Sequence, residues 1–249
     1  MRFHEKVVLI TGGTRGVGLA TARAFAQEGA SVVITGRDLA RGREAAGMVL
    51  RATFMEGDVR VAADCDRVVA ETTQRLGRLD VLVNNAGVIY RNRTAEQTTE
   101  DEWDTTFATN VKGAFLMSRS ALPALRATKG NIVSVASYAG LVGFAGAAAY
   151  AASKAALVNL TRTMALDHAP EGLRANCVCP GSVETDMIYQ AWQAFPDPEA
   201  ARRRWEGKHP LGRIATPEEV ARAILFLASD DAGFITGVAL PVDGGITAG

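Results

Sequence analysis

The chain begins with a short apolar run, Lys6 to Ile10, which leads directly into a glycine-rich segment and then into a helix-like stretch from Leu19 to Glu28. A run of branched apolar residues without polar alternation is typical of a strand buried on both faces of a parallel sheet. Neighbouring parallel strands have to be joined by a crossover, which is usually an α-helix. This opening therefore predicts an α/β fold built on a parallel sheet.

The same alternation of strand-like and helix-like stretches continues along the chain. Further strand-like runs lie at Ser31 to Thr35, Ala52 to Glu56, Leu79 to Val83, Asn131 to Val135, Leu173 to Cys179 and Val238 to Val242. This alternation predicts βαβ units with right-handed crossovers, and so a Rossmann-type, doubly wound parallel β-sheet flanked by helices on both faces. Because no linker or low-complexity tract divides the chain, we expect one domain over residues 1–249.

The glycine-rich segment reads Thr11-Gly-Gly-Thr-Arg-Gly-Val-Gly18. Between a strand and a helix, such a segment favours dinucleotide binding over an ordinary turn, because the helix N-terminus offers free N–H groups to the phosphates. Gly12 would permit the tight turn, Gly16 the approach of a pyrophosphate, and Gly18 close packing of helix on strand. The predicted binding loop also includes Thr14, Arg15 and Val17.

The end of the second strand bears on the choice of cofactor. A carboxylate just after this strand would bond the adenine-ribose 2′-hydroxyl and select NAD. That position is Gly36, and Arg37 follows it. A guanidinium suits a 2′-phosphate, which it can engage with two hydrogen bonds, and Arg15 is a second candidate contact. We therefore expect NADP(H) to be preferred, with NAD(H) as the alternative because Asp38 is close by.

A tyrosine and a lysine four residues apart form the candidate catalytic centre. In a helix, Tyr150 and Lys154 leave the same face. A neighbouring ammonium lowers the pKa of a phenol, and a tyrosine tuned in this way can exchange a proton with a carbonyl or alcohol oxygen. Ser137, at the end of the fifth strand, could bond the same oxygen, whereas Ser134 is too far from Tyr150.

Together these features resemble the short-chain dehydrogenase/reductase family over essentially the whole chain. The resemblance is carried by Thr11-Gly-x-x-x-Gly-x-Gly18, Asn84-Asn-Ala-Gly87, Asn110, Ser137, Tyr150-x-x-x-Lys154 and Pro180-Gly181. It implies a catalytic tetrad of Asn110, Ser137, Tyr150 and Lys154. Tyr150 would be the general acid/base and Ser137 would orient the substrate oxygen. Lys154 would lower the tyrosine pKa and hold the nicotinamide ribose. Asn110 would bind a water molecule in a proton relay.

The resemblance also implies further cofactor contacts. Asp58 and Val59 would lie at the adenine, where an acceptor is needed. The nicotinamide ribose would lie at Tyr150 and Lys154. The remaining contacts would be Asn85, Ala86 and Gly87 beside the adenosine, and Pro180, Gly181, Val183 and Thr185 at the nicotinamide carboxamide.

Two other segments are interpreted by pattern. Between Thr99 and Ala127, helical spacing of Trp103, Phe107, Val111, Phe115 and Leu116 predicts buried side chains. Equivalent helices in the family form a subunit interface, so a homotetramer is expected, with a dimer as the alternative.

Residues 187–212 are interpreted as a variable substrate lid rather than a surface helix pair. The substrate pocket would draw on Val88 to Arg91, Ala139 to Ala147 and Tyr189 to Trp205.

Composition argues against several other kinds of partner. Lys plus Arg and Asp plus Glu both number 27, which does not suggest a nucleic-acid or membrane-surface partner. The three cysteines and three histidines lack zinc spacing, so we expect no metal, and we interpret the cysteines as buried apolar residues. No apolar signal core or membrane-spanning run is present, which predicts a cytoplasmic protein.

The expected activity is hydride transfer between NADP(H) and a small-molecule carbonyl or secondary alcohol. One alternative is 3-oxoacyl-[acyl carrier protein] reductase, which the chain also resembles. Lys129 and Arg126 could contribute to a basic docking patch beside the active-site mouth for the acidic carrier, but Glu171 puts an acid where those reductases have a basic residue. A second alternative is a non-catalytic NADP-binding sensor, although such proteins usually lose the tyrosine or the lysine.

Overall fold

Seven strands form one parallel sheet in the computed structural model, which describes residues 1–193 and 195–249. The strands are β1 Val7–Thr11, β2 Ser31–Gly36, β3 Ala52–Glu56, β4 Val81–Asn84, β5 Asn131–Val135, β6 Arg174–Pro180 and β7 Ala239–Val242. Their order across the sheet is β3-β2-β1-β4-β5-β6-β7, and every neighbouring pair is parallel. The predicted doubly wound sheet is therefore confirmed.

Helices cover both faces of this sheet. Within the described part of the chain they are α1 Gly16–Gln27, α2 Leu39–Gly47, α3 Ala62–Leu76, α4 Glu100–Phe107, α5 Gly113–Thr128, α6 Ala148–His168, α7 Asp186–Gln193, α8 Pro198–Glu206 and α9 Pro217–Ala228. Side chains alternate between the faces along β1: Val8 and Ile10 pack with α1 and α9, whereas Val7 and Leu9 pack with α3 and α5. This two-sided burial explains why the strand has no polar alternation.

Reciprocal capping boxes set the start of α4 and α9. The predicted capping box of α9 is present: Thr216 accepts from the Glu219 N–H, and Glu219 accepts from the Thr216 N–H. Thr99 and Glu102 form the same reciprocal pair at the start of α4, which the sequence analysis did not identify. Each box satisfies backbone donors that a helix end leaves free.

The predicted long helical segment is continuous but differs from expectation in two respects. A π-helical segment, Ala108–Lys112, joins α4 to α5 and carries Asn110. Trp103 is 41% exposed and Phe115 44% exposed, so the expectation that both are buried is wrong for this chain taken alone. The spacing of Trp103 and Phe115 correctly indicates that they share an apolar side of the helical segment. That side faces away from the sheet.

The reversal of strand order between β1 and β4 positions the candidate site. Loops that follow the two strands diverge there and leave a crevice at the carboxyl edge of the sheet, where ligands of such folds bind. The Thr11 hydroxyl accepts from the N–H groups of Asn85 and Ala86, both at 3.0 Å. The side-chain amide of Asn85 donates to the carbonyls of Thr11 and Gly12. These bonds tie the glycine-rich loop to the loop after β4.

No helix in the described ranges is long and apolar enough to cross a membrane.

Candidate active site

A cavity of about 630 Å³ lies along the carboxyl edge of the sheet, and most of the predicted site residues line it. Of the predicted set, only Gly18 and Asn110 do not reach its wall. The predicted residues that line it are Gly12, Thr14, Arg15, Gly16, Val17, Arg37, Asp58, Val59, Asn85, Ala86, Gly87, Ser137, Tyr150, Lys154, Pro180, Gly181, Val183 and Thr185. One cavity therefore joins the glycine-rich loop to the tyrosine and lysine.

The glycine-rich loop has the geometry of a phosphate cradle. Gly12 and Gly16 have φ values of +63° and +52°, which only glycine adopts without strain. A Cβ on Gly18 would collide with the Gly12 carbonyl oxygen, so this glycine permits close packing rather than contact with a ligand. Arg15 precedes α1 and makes no side-chain cap, which leaves the first N–H groups of that helix facing the cavity. These features fit a dinucleotide pyrophosphate.

The far end of the cavity, beyond β2, is rich in arginine. Arg15, Arg37 and Arg41 all line it. Asp38, which kept the NAD(H) alternative open, accepts from the Arg41 N–H at 3.0 Å and so caps α2. Arg41 was not among the predicted contacts, although its position one turn after a capping aspartate is a signal that the sequence contains.

The acceptor expected at the adenine is already engaged within the chain. Both carboxylate oxygens of Asp58 accept from the guanidinium of Arg60, which also lines the cavity. This ion pair holds the pKa of Asp58 below its ordinary value. Asp58 is therefore ionised at neutral pH and can accept a hydrogen bond but not donate one.

Strand β5 and helix α6 bring the three reactive side chains together. Ser137 follows β5 and accepts from the Ala139 N–H at 3.1 Å. Tyr150 and Lys154 lie one turn apart near the start of α6, and the Lys154 Nζ is 5.6 Å from the centre of the Tyr150 ring. Ser134 is buried and bonds with Thr161 away from the cavity, so its interpretation as an uninvolved serine is supported.

The pKa shifts of Tyr150 and Lys154 differ from those expected from the sequence. Burial raises the pKa of Tyr150, and this effect is opposed by hydrogen bonding with Ser137 and by the nearby Arg91 guanidinium. Burial also lowers the pKa of Lys154 from 10.5 to about 8. The Lys154 Nζ donates to the Val135 carbonyl at 2.7 Å, so its charge is directed partly at the end of β5. The prediction that Lys154 pulls the pKa of Tyr150 below its ordinary value is therefore not met in this structure.

Asn110 lies behind the cavity wall. Its Oδ1 accepts from the Val88 N–H at 2.8 Å, and its Nδ2 donates to the Val88 carbonyl and the Ser153 hydroxyl, both at 3.0 Å. Ser153 in turn donates to the Tyr150 carbonyl at 2.7 Å. Through these bonds Asn110 connects the loop after β4 with the first turns of α6. The expected water relay stays a prediction.

Aromatic side chains and an arginine surround the reactive end of the cavity. Tyr138 and Phe144 pack edge to face, with ring centres 5.6 Å apart. The Arg91 guanidinium lies 5.0 Å from the centre of the Trp205 ring in α8. All four side chains line the cavity. Arg91, Phe144 and Trp205 come from segments expected to form the substrate pocket, whereas Tyr138 lies one residue before the expected segment that starts at Ala139. The pattern did not single out Arg91.

The expected lid segment covers this end, although Ala194 within it lies outside the described residues. Ile188, Trp205 and Lys208 line the cavity, whereas Trp192 does not reach it and packs against Ile188, Ala201 and Trp205. Tyr189 is exposed and does not line the cavity. The segment therefore contributes a few inward-facing side chains.

His209 holds the end of α8 to the loop after β6. Its Nε2 accepts from the Ser182 N–H at 3.0 Å, and its Nδ1 faces the Trp205 carbonyl at 2.9 Å. Both bonds are satisfied by the neutral ring with its proton on Nδ1. In the same loop, Thr185 donates to the Val183 carbonyl at 3.2 Å. The predicted nicotinamide-binding loop is thereby fastened to the lid segment.

The candidate basic patch for an acyl carrier lies elsewhere in the chain. Arg126 lies in the last turn of α5 and Lys129 follows that helix, so both stand at the amino edge of the sheet, before β5, while Ser137 stands after β5. Glu171 pairs with Arg126 at 2.9 Å. Within one chain, this patch is neither beside the cavity mouth nor free of acidic charge.

The described residues contain no cluster of histidine, cysteine and carboxylate side chains that could hold a metal ion. Cys65, Cys177 and Cys179 are buried thiols, as expected.

Comparison with known proteins identifies relatives along the full length of the chain. A family model described as enoyl-(acyl carrier protein) reductase matches residues 12–247. Meso-2,3-butanediol dehydrogenase of Serratia marcescens is 46% identical over 100% of this chain and 97% of that protein. L-fucose dehydrogenase of Bos taurus is 39% identical over 100% of this chain and 92% of that protein. The solved ligand-free structure of Thermoplasma acidophilum aldohexose dehydrogenase matches with a TM-score of 0.91 at 33% identity, covering 99% of this chain and 96% of that one.

Proposed function

The chain belongs to the short-chain dehydrogenase/reductase family, and we propose that it moves hydride between NADP(H) and a small ketone or secondary alcohol, with Tyr150 as the general acid/base. Membership makes it an oxidoreductase of CH–OH donors that uses a nicotinamide cofactor. The observation that carries the finer proposal is the single cavity, which joins a phosphate cradle and an arginine-rich end to Ser137, Tyr150 and Lys154.

The protein's own contribution to the reaction is proton transfer and charge stabilisation. When bound, the nicotinamide ring supplies the hydride for reduction or accepts it for oxidation. In reduction, Tyr150 donates its proton to the carbonyl oxygen, and Ser137 holds that oxygen by a hydrogen bond. Stabilisation of a developing oxyanion by such preset donors is commonly the largest contribution to rate.

Lys154 is suited to restore the tyrosine proton. Its pKa of about 8 lies close to neutral pH, where a group exchanges protons efficiently in both directions. Asn110 supports this arrangement as a positioning residue, because its bonds to Val88 and Ser153 fix the turn of α6 that carries Tyr150.

The preference for NADP(H) rests on charge at the far end of the cavity. Arg15, Arg37 and Arg41 line that end, and the carboxylate of Asp38 is engaged as a helix cap. Arginine engages phosphate oxygens with paired, charge-assisted hydrogen bonds. A 2′-phosphate at this place therefore has several partners, whereas a 2′-hydroxyl would share the Asp38 carboxylate, which lines the cavity and already caps α2.

The relatives named above act, by their names, on a diol, a sugar and an aldohexose. We extend to this chain the shared feature, a compound with a hydroxyl group on carbon. The aromatic walls formed by Tyr138, Phe144 and Trp205 favour a substrate with an apolar body.

A subunit interface along α4 and α5 accounts for the exposed apolar side chains there. Trp103 and Phe107 stack with ring centres 4.8 Å apart, and Phe115 continues the same surface. We propose that this face pairs with a second copy within a homotetramer, since burying large apolar side chains is favourable.

The experiment that tests the activity is a spectrophotometric screen of NADPH and NADH oxidation. The panel should contain simple ketones, ketoesters, sugars in the oxidation direction and acyl-carrier thioesters. NADPH-dependent turnover of free ketones supports the proposal. Turnover confined to carrier thioesters would instead identify an acyl-carrier reductase, and cofactor binding without any turnover would point to a sensor.

The role of Tyr150 is tested by Tyr150→Phe against a matched substitution, Tyr90→Phe. Tyr90 is exposed and lies outside the cavity, so its hydroxyl has no part in the proposed chemistry. We expect Tyr150→Phe to lower kcat by at least about 100-fold, the low end for loss of a general acid, and to retain NADPH binding in a fluorescence titration. Equal kcat in Tyr150→Phe and Tyr90→Phe would remove Tyr150 from the mechanism.

A further inference from the structure

Arg91 is a half-buried cation whose charge has no counterion among the described residues. It follows the loop after β4 and forms no ion pair or hydrogen bond within residues 1–193 and 195–249. Its Nε is fully buried without a partner. A buried polar atom without a hydrogen-bond partner is unfavourable for folding, so its presence in a cavity wall calls for an explanation, and a bound ligand is one.

The surroundings hold this guanidinium in place beside the reactive centre. Trp205 lies 5.0 Å from it, and stacking on an indole face orients the plane of a guanidinium. Its charge lowers the pKa of both Tyr138 and Tyr150, although burial still raises each of them above its ordinary value. Arg91 and the proton donor Tyr150 also line the same cavity, so one small molecule in that cavity can contact both.

A second cavity of about 580 Å³ continues from the first at this point. Arg91, Tyr138, Phe144, Trp205 and Lys208 line both cavities. Arg204 joins them in the second cavity, and the described lining of that cavity contains no aspartate or glutamate. The lining of the larger cavity includes Asp186, and no ion pair between Asp186 and Arg91 is found among the described residues. The path from the surface to Tyr150 therefore passes three cations.

We propose that the substrate carries an anionic group, such as a carboxylate, which Arg91 binds while the carbonyl or hydroxyl carbon lies at Ser137 and Tyr150. A guanidinium presents paired donors that match a carboxylate, sulfonate or phosphate. Lys208 and Arg204 attract the same charge at the entrance. The proposal rests on the proposed oxidoreductase function and narrows its substrate class.

The test compares acids with their neutral esters. Suitable pairs are levulinate and methyl levulinate, acetoacetate and methyl acetoacetate, and 4-acetylbenzoate and its methyl ester, each assayed for kcat/KM with NADPH. We expect wild type to prefer the acid of at least one pair. Arg91→Met should reduce the acid-to-ester ratio by about 10- to 100-fold, the range for loss of a charge-assisted hydrogen bond. Arg91→Lys keeps the positive charge but loses the paired donors of the guanidinium. Its acid-to-ester ratio should therefore lie between those of wild type and Arg91→Met.

Arg93→Met is the matched control. Arg93 lies two residues away, pairs with Glu102 at 3.3 Å and lines neither cavity, so the ratio should stay at the wild-type value. Far-ultraviolet circular dichroism and NADPH fluorescence titration establish that each variant is folded. Wild type that turns over esters as well as acids would overturn the proposal. An Arg91→Met variant in which kcat/KM falls equally for the acid and the ester of every pair would also overturn it.

A binding measurement separates failure of this inference from failure of the proposed function. Isothermal titration calorimetry of 4-acetylbenzoate and its methyl ester is performed on Tyr150→Phe, with and without Arg91→Met. We expect the acid to bind more tightly than the ester and to lose about 10-fold or more in affinity with Arg91→Met. If no compound is turned over, the proposed function fails, while loss of acid binding with Arg91→Met still supports the subsite. Acid binding that does not depend on Arg91 would overturn it.

Discussion

Replacing Lys154 with methionine should make the protein more stable at neutral pH while it abolishes turnover. The Lys154 side chain is 3% exposed, and burial lowers its pKa from 10.5 to about 8. Each pKa unit corresponds to about 1.4 kcal/mol, so holding the charged lysine in the fold costs on the order of 3 kcal/mol below pH 8. Methionine has a similar length and no charge.

The lost hydrogen bond to the Val135 carbonyl offsets part of this gain. Because the donor is charged, such a bond contributes about 2 kcal/mol, which leaves Lys154→Met more stable by roughly 1 kcal/mol at pH 7. For a chain of this size, that difference corresponds to a rise in Tm of roughly 2–4 °C. Between about 8 and 10.5 the unfolded chain binds the lysine proton more tightly than the native chain does, so wild-type stability rises with pH there. The advantage of the variant should therefore shrink across this window.

The assay is urea unfolding followed by circular dichroism at pH 7 and pH 9.5, at one protein concentration. Lys112→Met is the control. Lys112 is exposed in the π-helical segment that joins α4 to α5, so its substitution should change the free energy of unfolding by less than about 0.5 kcal/mol. The reasoning is refuted if Lys154→Met is less stable than wild type at pH 7. It is also refuted if the difference between them is the same at both pH values.

Three further predictions concern other parts of the molecule. Arg37→Glu should raise the KM for NADPH about 10-fold or more and leave that for NADH little changed, because it removes a charge-assisted phosphate contact; an unchanged NADPH KM would contradict the assignment. Glu219→Gln should cost up to about 1 kcal/mol at pH 7, because glutamine keeps an acceptor for the Thr216 N–H but loses the ion pair with Arg213. Since the folded pKa of Glu219 is about 2 against 4.5, wild type should keep this stabilisation above pH 4.5 and lose it as pH falls toward 2, and a difference independent of pH in urea titrations would argue otherwise. Trp103→Glu should reduce the molar mass measured by light scattering, whereas a monomeric wild type would disprove the proposed interface.

The features that the sequence predicts well depend on local geometry. The glycine-rich loop lies between a strand and a helix that both have clear patterns, and its glycines take the positive φ values that the motif requires. Tyr150 and Lys154 share a helix face because residues four apart in a helix always do. Ser137 follows a buried strand, so its place at the carboxyl edge comes from the order of the sheet. These constraints were sufficient to place most of the site.

The features that were missed depend on packing between distant segments. Arg91 lies in a loop without periodicity, and its contact with Trp205 exists only because α8 folds over that loop. The pKa of Tyr150 is raised by burial, and burial cannot be inferred from the spacing of Tyr150 and Lys154. Trp103 has the spacing of a core residue, yet its helix turns that face outward. A sequence pattern indicates which residues share a face but not what covers the face.

The bonds between Thr11 and the loop after β4 also have a consequence for folding order. The Thr11 hydroxyl accepts from Asn85 and Ala86, which lie 74 and 75 positions further along the chain. A nascent chain that has formed only β1, β2 and β3 therefore lacks one wall of the nucleotide cradle. Affinity for the cofactor should emerge only after β4 has docked against β1, so that a nucleotide stabilises the finished fold but gives little help to the early intermediates.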